Sequence, residues 1–470
     1  MRLPTTLLAA AAALAALGLA TPGRAKEPVT EAPAAAAAAP ADSGGGLWPA
    51  ADALRERLAA DGWLIQGQLT GIYQGHPRFG SPYVGGASMT SDLRPRETLS
   101  FGPLIGRRLW DGAALYFNPE FDQGFGLNSA VGMAGFPNGE AFRSGTTAPR
   151  MNYQRLFIRQ YINLGGPQEA IERDQLQFED TVDVDRLTLT AGKVSVWDLF
   201  DDNRYSHDPR TQFMNWSLMA AGAIDFAADA KGYTTGIGAD WNWREGAARL
   251  GFFQVSKRPN SKPLDDHVFE GFQLLGELEQ RFALGARPGR LRELAMVDRT
   301  HAIVYGAFGD VAPISAADPL YQARRYRENY GLELNGEQEL ADDLGAFARL
   351  SWNPGRVQEY MFTEIDRSLA LGLSLKGLRW RRPDDTVGFA WAFNGLSQNH
   401  RTFLANGNLG FITGDGRLDY EAEKVMETYY SIQILPGVAF TLDYQLALAP
   451  AYNSDRGPIS LFAVRFHAEY

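Results

Sequence analysis

The chemistry open to this sequence is limited from the start, because its 470 residues include no cysteine and only 6 histidines. A thiol nucleophile, a disulfide framework and a cysteine-bound zinc site are therefore excluded. Carboxylates and an imidazole are densest in the segment 198–210, and together they would suit a cation such as Mn²⁺. The candidate metal ligands are Asp201, Asp202, His207 and Asp208. Their spacing matches no defined metal-binding loop, so we favour a turn-rich loop whose acids are neutralised by Arg204 and Arg210.

A second pattern with chemical potential is the alternation of arginine and aromatic residues in the segment 153–164. Arg155, Phe157, Arg159 and Tyr161 share one face of this segment, and the opposite face is apolar. Two arginines on one face are costly against lipid but suit a water-filled interior. Aromatic rings stack on the flat faces of sugars, and guanidinium groups bond sugar hydroxyls. The segment therefore predicts a wall that contacts polar solutes.

The same alternation supplies further candidates for solute contact elsewhere in the chain. These residues are Glu333, Asn335, Glu337, Arg349, Asp443 and Gln445. An alternative stays open for each of them, because charges on such a wall can simply be solvated and fix its shape through ion pairs. Asn118–Arg150, a long connection rich in glycine, asparagine and phenylalanine, is a candidate for a loop that folds inward as a constriction.

The elements that carry these residues are strands, because polar and apolar side chains alternate from Gly62 onward. In 368–376 a leucine occupies every second position, and 386–394 alternates large apolar residues with small or polar ones. Such alternation puts the two kinds of side chain on opposite faces of a strand. A soluble sandwich would also alternate. Here the polar faces carry small residues, acids and amides over many strands, so we expect a closed sheet with a wet interior.

The hydropathy of the chain indicates how such a sheet would meet a membrane. Mean hydropathy is −0.25, and no apolar run of ~18 residues follows the N-terminus, which excludes a helical membrane protein. A closed antiparallel barrel crosses a bilayer without such a run, because its backbone groups are paired between strands. Aromatic residues end several apolar faces, as the girdles of a barrel require, and they include Tyr73, Trp352, Tyr444 and Tyr470.

The predicted fold class is all-β, a transmembrane antiparallel β-barrel with a short N-terminal helix. Roughly 410 residues at ~25 residues per strand and connection give about sixteen strands. The predicted organisation is a signal peptide at 1–25, an Ala/Pro/Gly-rich linker at 26–46, a short amphipathic periplasmic helix at 47–61 and the barrel at 62–470. Small residues place the signal cleavage after Ala20 or Ala25.

The closing segment Ile459–Tyr470 is an amphipathic strand that ends on an aromatic residue. Several other segments carry a pattern of their own: GQLTGIYQGHPRFGSPY, RRLWDGAALYFNPEFDQGFGL, GFPNGEAFR, DDNRYSHDPRTQFMNW, ADAKGY, GDGRLDYEAEKVMETYYSIQ and DYQLALAPAYNSDRGPISLFAVRFHAEY. Together they resemble the carbohydrate-selective porin (OprB-type) family, from about Trp63 to Tyr470.

The resemblance implies an outer-membrane porin of a Gram-negative bacterium that passes small hydrophilic solutes, above all sugars, by facilitated diffusion and without a cofactor. Its partners would be outer-membrane lipid, the transported sugars and the barrel-assembly machinery, which in this family recognises the terminal aromatic residue. The subunit number, a homotrimer or a monomer, stays open. Some relatives with this Asp/His pattern are assigned to manganese uptake, so a porin that favours divalent cations such as Mn²⁺ is the alternative.

Other classes of function have less support in the sequence. The formal charge of −10 offers no basic footprint for nucleic acid. We find no nucleophile elbow, zinc-protease motif or phosphate-binding loop, so we expect no enzyme. A secreted soluble β-protein that binds carbohydrate would share the signal peptide and the alternation, and cell fractionation would distinguish it from a porin.

Overall fold

The computed structural model describes residues 49–92, 94–141, 145–307 and 323–470, and about half of them form one closed antiparallel sheet of sixteen strands. Strands pair with their neighbours in chain order around the barrel. The predicted fold class, an all-β antiparallel barrel of sixteen strands with a short N-terminal helix, is confirmed.

The barrel strands are β1 (Trp63–Gly75), β2 (Arg96–Trp110), β3 (Ala113–Gly124), β4 (Thr146–Asn163), β7 (Arg186–Val194), β8 (Thr234–Trp243), β9 (Gly246–Gln254), β10 (Phe272–Leu284), β11 (Arg287–Ala302), β12 (Arg325–Ala341), β13 (Leu344–Trp352), β14 (Arg367–Gly377), β15 (Arg382–Gly395), β16 (Glu423–Leu435), β17 (Val438–Leu448) and β18 (Ile459–Glu469). A separate hairpin consists of β5 (Gln168–Ile171) and β6 (Asp180–Asp183). The described α-helices are α1 (Pro49–Ala60), α2 (Trp216–Met219) and α3 (Gln398–Ala405).

Strand β14 shows why these sequences form a membrane barrel. Leu369, Leu371 and Leu373 are each about two-fifths exposed on its outer face, whereas Ala370 and Gly372 between them are buried. Successive residues of a strand face opposite sides of the sheet, so the leucines, which occupy every second position, all face the outside of the barrel. A continuous apolar outer face is what a lipid environment requires.

The barrel closes where β1 pairs with β18. Gly71 lies opposite Phe466 in this antiparallel register, and the backbone of Tyr470 exchanges hydrogen bonds with Gly67 at 2.8 and 2.9 Å. Closure leaves no unpaired strand edge, and unpaired backbone groups would be costly within a bilayer.

The two ends of the barrel differ in their connections. Tight turns such as 111–112 and 244–245 join strands at one end, which we call the short-turn end. The other end, called the long-loop end, carries extended connections that include 76–95, 125–145, 195–233, 353–366 and 396–422. An exception is the hairpin connection 164–185, which lies between β4 and β7 at the short-turn end.

The predicted N-terminal helix is present as α1, while the predicted signal peptide (1–25) and linker (26–46) lie outside the described residues. In the described part of the chain, no helix has the length and apolar character to cross a membrane.

The interior differs from the wet lumen expected from the sequence. At the long-loop end the connections fold inward and form an apolar core with the barrel wall. Trp216, Ile224 and Phe226 of the connection 195–233 are fully buried there, together with Leu294 and Met296 of β11. The inner face of β11 is apolar at these positions because it meets a packed loop instead of water.

Candidate functional site

The connection 195–233, which we call the inner loop, crosses the barrel interior and is held by wall side chains. Its short helix α2 begins at Trp216 and is capped by Asn215, whose side chain accepts the Ser217 backbone N–H at 3.1 Å. The carboxylate of Glu427 accepts the backbone N–H groups of Met214 and Asn215 at 2.6 and 2.9 Å. Buried backbone donors outside regular structure need such partners, so inward-facing carboxylates fix the loop.

Asp201, one of the four candidate metal ligands, belongs to the inner loop and is fully buried. Its Oδ1 accepts hydrogen bonds from Arg349 Nε at 2.8 Å and Asn335 Nδ2 at 2.7 Å. Its Oδ2 accepts the Ala221 backbone N–H at 2.8 Å. Its Oδ1 therefore ties the loop to the wall, and its Oδ2 joins two parts of the loop.

Asp202, His207 and Asp208 do not join Asp201 in a group with metal-ligand spacing among the described residues. Asp202 lies 3.1 Å from Arg292 of β11, and Asp208 Oδ1 accepts the Arg210 backbone N–H at 2.9 Å. Burial alone would raise the pKa of Asp208, but the charge and backbone N–H of Arg210 lower it below its ordinary value.

Two arginines of this segment form their ion pairs with acids outside it. Arg204 pairs with Glu339 at 3.5 Å and Arg210 pairs with Glu140 at 3.1 Å. The acids Asp201 and Asp202 are neutralised from the wall instead, because the loop folds against strands that are distant in sequence.

The candidates Glu333, Asn335, Glu337 and Arg349 lie between the inner loop and the wall. Glu337 accepts the Arg204 backbone N–H at 2.8 Å. Arg349 donates to the carbonyls of Ser206 at 2.6 Å and Leu218 at 3.1 Å, and lies 3.9 Å from Glu333. All four are buried. The structure thus places Asn335, Glu337 and Arg349 as anchors of the loop, with Glu333 beside Arg349.

Gln445 faces a second inward connection, described over 125–141, and donates a hydrogen bond to its neighbour Asp443 at 3.4 Å. Gln445 donates to the Pro137 carbonyl at 2.8 Å and accepts from Asn215 of the inner loop at 3.1 Å. The sequence prediction of an inward fold in Asn118–Arg150 names this connection, although the structure extends β3 to Gly124 and starts β4 at Thr146.

The candidates on β4 form a different environment, made of rings and guanidinium groups. Phe157 stacks on Tyr116 with centroids 4.8 Å apart and planes at 13°, and Arg159 lies over both rings at about 5.5 Å. Arg155 binds Asp198 through two hydrogen bonds of 2.7 and 2.6 Å and lies 5.0 Å from the ring of Tyr233. These contacts hold cationic groups beside aromatic faces.

A cavity of about 530 Å³ opens beside this group in the short-turn half of the barrel. Its lining includes Arg155, Arg159, Tyr161, Trp197, Asp198, Asp202, His207, Asp208, Arg210 and Arg249. Its size and its mixture of charged and aromatic groups match a site for a small polar molecule. Three of the ten predicted solute-contact residues line it, and all three come from β4.

The floor of the cavity is a feature that sequence reasoning missed. The tip of the hairpin connection, which includes Asp174 and Leu176, lines the cavity, and Arg159 donates to the Leu176 carbonyl at 3.0 Å. Phe178 is buried against Tyr116, with ring centroids 5.8 Å apart. The hairpin tip has no periodicity in its sequence that would predict this inward position. Arg249 was detectable, since it alternates with outward residues of β9.

Comparison with known proteins gives this barrel a family. The family model of the carbohydrate-selective porins, OprB family, matches residues 105–470. The chain belongs to this family. Among solved structures it is similar to OprB of Pseudomonas putida at high pH, with a TM-score of 0.65 and 14% identity over 89% of this chain and 97% of that one. At this identity the likeness shows the fold.

Curated relatives of this OprB-family chain include Porin AaxA of Chlamydia muridarum, 22% identical over 62% of this chain and 54% of the relative. Porin AaxA of Chlamydia abortus is 23% identical over 62% of this chain and 56% of the relative. The chain thus spans about half the length of the curated relatives it matches. Family and fold together indicate an outer-membrane channel rather than an enzyme.

Proposed function

We propose that this OprB-family porin lets small hydrophilic solutes, above all carbohydrates, cross the outer membrane by facilitated diffusion. The observation that carries the proposal is the cavity beside β4, whose lining combines the guanidinium groups of Arg155 and Arg159 with the aromatic side chains of Tyr161 and Trp197. Sugars have flat faces that stack on rings and hydroxyls that accept from guanidinium groups. The family description, carbohydrate-selective porin, supports the same class of solute.

The divalent-cation alternative receives no such support from the geometry. The acids of 198–210 are paired with arginines or hydrogen-bonded to backbone, as described above. A cation would have to displace those partners before it could bind.

Recording from planar bilayers with the purified protein tests the proposal. We expect a conducting channel whose single-channel current is partly blocked by mono- and disaccharides, and less by amino acids of similar size. Absence of conductance would reject the channel, and equal block by both classes of solute would reject carbohydrate preference while leaving the channel intact.

A variant connects that block to the cavity. In Arg159→Gln the guanidinium above the rings of Tyr116 and Phe157 is lost from the cavity lining, and we expect sugar block to weaken about fivefold, the equivalent of about 1 kcal/mol. Arg299→Gln is the matched control, since Arg299 also contacts a tyrosine ring (Tyr326, 5.4 Å) but lies on the outer face of β11. Equal loss of sugar block in both variants would show that the sugar does not bind in the cavity.

We further propose that α1 lies on the periplasmic side and influences entry to the cavity. Its Asp52 accepts from the Tyr470 hydroxyl at 2.9 Å, and its Glu56 lies 3.1 Å from Arg173 of the hairpin connection. Deleting residues 26–60 should then alter conductance, whereas unchanged conductance would reject gating.

Export and assembly complete the proposal. The signal peptide at 1–25 would be removed after Ala20 or Ala25, which N-terminal sequencing of the mature protein tests.

The terminal aromatic residue Tyr470 would be recognised by the barrel-assembly machinery, and Tyr470→Ala should then lower the amount of barrel in the outer membrane. Light scattering in detergent distinguishes a homotrimer from a monomer.

A further inference from the structure

Three metal-ligating side chains meet inside the long-loop end, away from the cavity. Glu359 and Asp366 come from the connection 353–366, and His400 comes from α3. Each is at most 1% exposed, and one ligand atom of each lies within 4.8 Å of the others. Ligands bound to one cation at about 2.2 Å lie no more than about 4.4 Å apart, so the observed spacing is within a few tenths of an ångström of a shared ion.

Two atoms of this group lack hydrogen-bond partners although they are buried. They are His400 Nε2 and Glu359 Oε2. Neighbouring Glu364 is the contrast, because its oxygens accept the backbone N–H groups of Phe411, Ile412 and Thr413 at 2.6 to 2.9 Å. This region can therefore supply hydrogen-bond donors to a buried carboxylate. The lack of partners for His400 Nε2 and Glu359 Oε2 is thus not a sign of loose packing.

The charge of the group is also incomplete. In the described part of the chain, the ion-pair partner of Asp366 is His400 at 3.2 Å, and no lysine or arginine lies within ion-pair distance of Glu359 or Glu364. Arg401, which directly follows His400 in the chain, turns away, and its guanidinium lies 3.6 Å from the ring of Tyr420. Buried carboxylates need a compensating cation or a proton.

The imidazole is held in a fixed orientation. Its Nδ1 lies 3.2 Å from Asp366 Oδ1, and its ring stacks on Tyr305 with centroids 4.1 Å apart and planes at 16°. A spacing of 3.2 Å between Nδ1 and Oδ1 is also what two ligands adopt on one cation when each lies about 2.1 Å from it, so a cation seated between these atoms would replace the shared proton. The Ser397 hydroxyl accepts the His400 backbone N–H at 3.2 Å and so fixes the start of α3.

We propose that Glu359, Asp366 and His400 bind one divalent transition cation, Zn²⁺ or Mn²⁺, which ties the connection 353–366 to α3. An imidazole nitrogen with carboxylate oxygens favours these ions over Ca²⁺ and Mg²⁺, which prefer oxygen ligands alone. The site is structural and separate from the solute cavity, so it stands whatever solute the channel carries.

Metal titration of the full-length protein in detergent tests this site. After chelator treatment, Zn²⁺, Mn²⁺, Ca²⁺ and Mg²⁺ are added separately, and binding is followed by calorimetry and by the thermal unfolding midpoint. We expect one equivalent of Zn²⁺ or Mn²⁺ to bind and to raise the midpoint, because a ligand that binds the folded state alone stabilises it. Absence of binding by all four ions, or preference for Ca²⁺ or Mg²⁺, would overturn the proposal.

Variants locate the binding. His400→Gln and Glu359→Gln should each weaken it by ~100-fold or more, the upper end of effects seen for groups that support a metal site. His267→Gln is the matched control: His267 sits beside Asp265 and Asp266 but its side chain is 64% exposed. Circular dichroism confirms that each barrel is folded, and competition with a chromophoric chelator gives the affinity. Unchanged affinity in both site variants, or equal loss in His267→Gln, would overturn the proposal.

Discussion

The two halves of the barrel interior are built on different principles. The long-loop half is a protein core, in which Trp216 stacks on Phe136 and Phe362 at 5.4 and 5.5 Å. The short-turn half holds the cavity, where Arg155 and Arg159 lie beside the rings of β4 and its neighbours. Trp197 belongs to both halves, since it packs on Trp216 and lines the cavity.

The same barrel wall therefore has two roles: it anchors loops in one half and lines the cavity in the other. Where the wall meets a loop, its inward residues are apolar, or are carboxylates and arginines that bind loop backbone. Where the wall meets the cavity, its polar groups are open to solutes. A substitution in the first half should therefore change stability and pore shape, and one in the second half should change selectivity.

The largest effect should follow from Trp216→Ala in the packed half. Removing a fully buried, stacked indole costs about 4 kcal/mol of packing free energy, so the inner loop should become susceptible to limited proteolysis and single-channel conductance should rise. Trp352→Ala on the outer face, where the ring is 36% exposed, is the control and should leave both measurements near the wild-type values. Equal sensitivity of the two variants would show that the loop is not held by a core.

The next largest effect is expected from Arg349→Met, which removes the cation beside buried Asp201. An uncompensated carboxylate should cost about 3 kcal/mol, and the combined Asp201→Asn/Arg349→Met variant should recover part of it. Urea unfolding followed by tryptophan fluorescence measures both. A double variant as unstable as the sum of the two single variants would contradict a direct coupling.

A smaller effect, on selectivity, should come from Asp174 at the floor of the cavity. Burial, together with the nearby charges of Glu469 and Asp208, raises the pKa of Asp174 above its ordinary value, although the Gln175 backbone N–H opposes this. Lowering the pH removes its negative charge, so anion permeability relative to cation permeability should rise, by about twofold or less. Reversal potentials in a salt gradient measure the ratio. In Asp174→Asn this part of the pH dependence should be missing. A pH profile identical to that of the wild type would show that Asp174 does not influence the permeating ions.

The smallest effect is expected at the contact between α1 and the hairpin. Glu56 is mostly exposed, so its pair with Arg173 should contribute about 0.5 kcal/mol or less. Arg173→Gln should therefore leave thermal stability and conductance almost unchanged. A large change in either would mean that α1 is coupled to the cavity more tightly than this ion pair allows.

The sequence predicted the barrel well because alternation is a local property. Leucines at every second position of β14 predict a lipid-facing side of the strand, and this prediction needs no information about the neighbouring strands. The arginine and aromatic face of β4 was predictable for the same reason, and Arg155, Arg159 and Tyr161 do line the cavity.

The interior could not be predicted in the same way, because its contacts join residues far apart in sequence. Glu337 and Arg349 have the alternation of lumen residues, but what covers them is the inner loop. Strand β11 carries Leu294 and Met296 on its inner face, so its periodicity does not report which side meets lipid. The loop residues Trp216 and Ile224 lie in a segment without strand or helical periodicity, and their burial depends on the closed wall.

The inner loop also constrains the order in which the molecule is assembled. The loop precedes every strand from β8 onward in the chain, yet Arg349 and Glu427, which anchor it, belong to β13 and β16. Contacts this distant in sequence form slowly, because a long segment of chain must be brought together first. We therefore expect Trp216 and its apolar neighbours to stay exposed until most of the barrel has formed, and the middle of the chain to be among the last parts to reach its native packing.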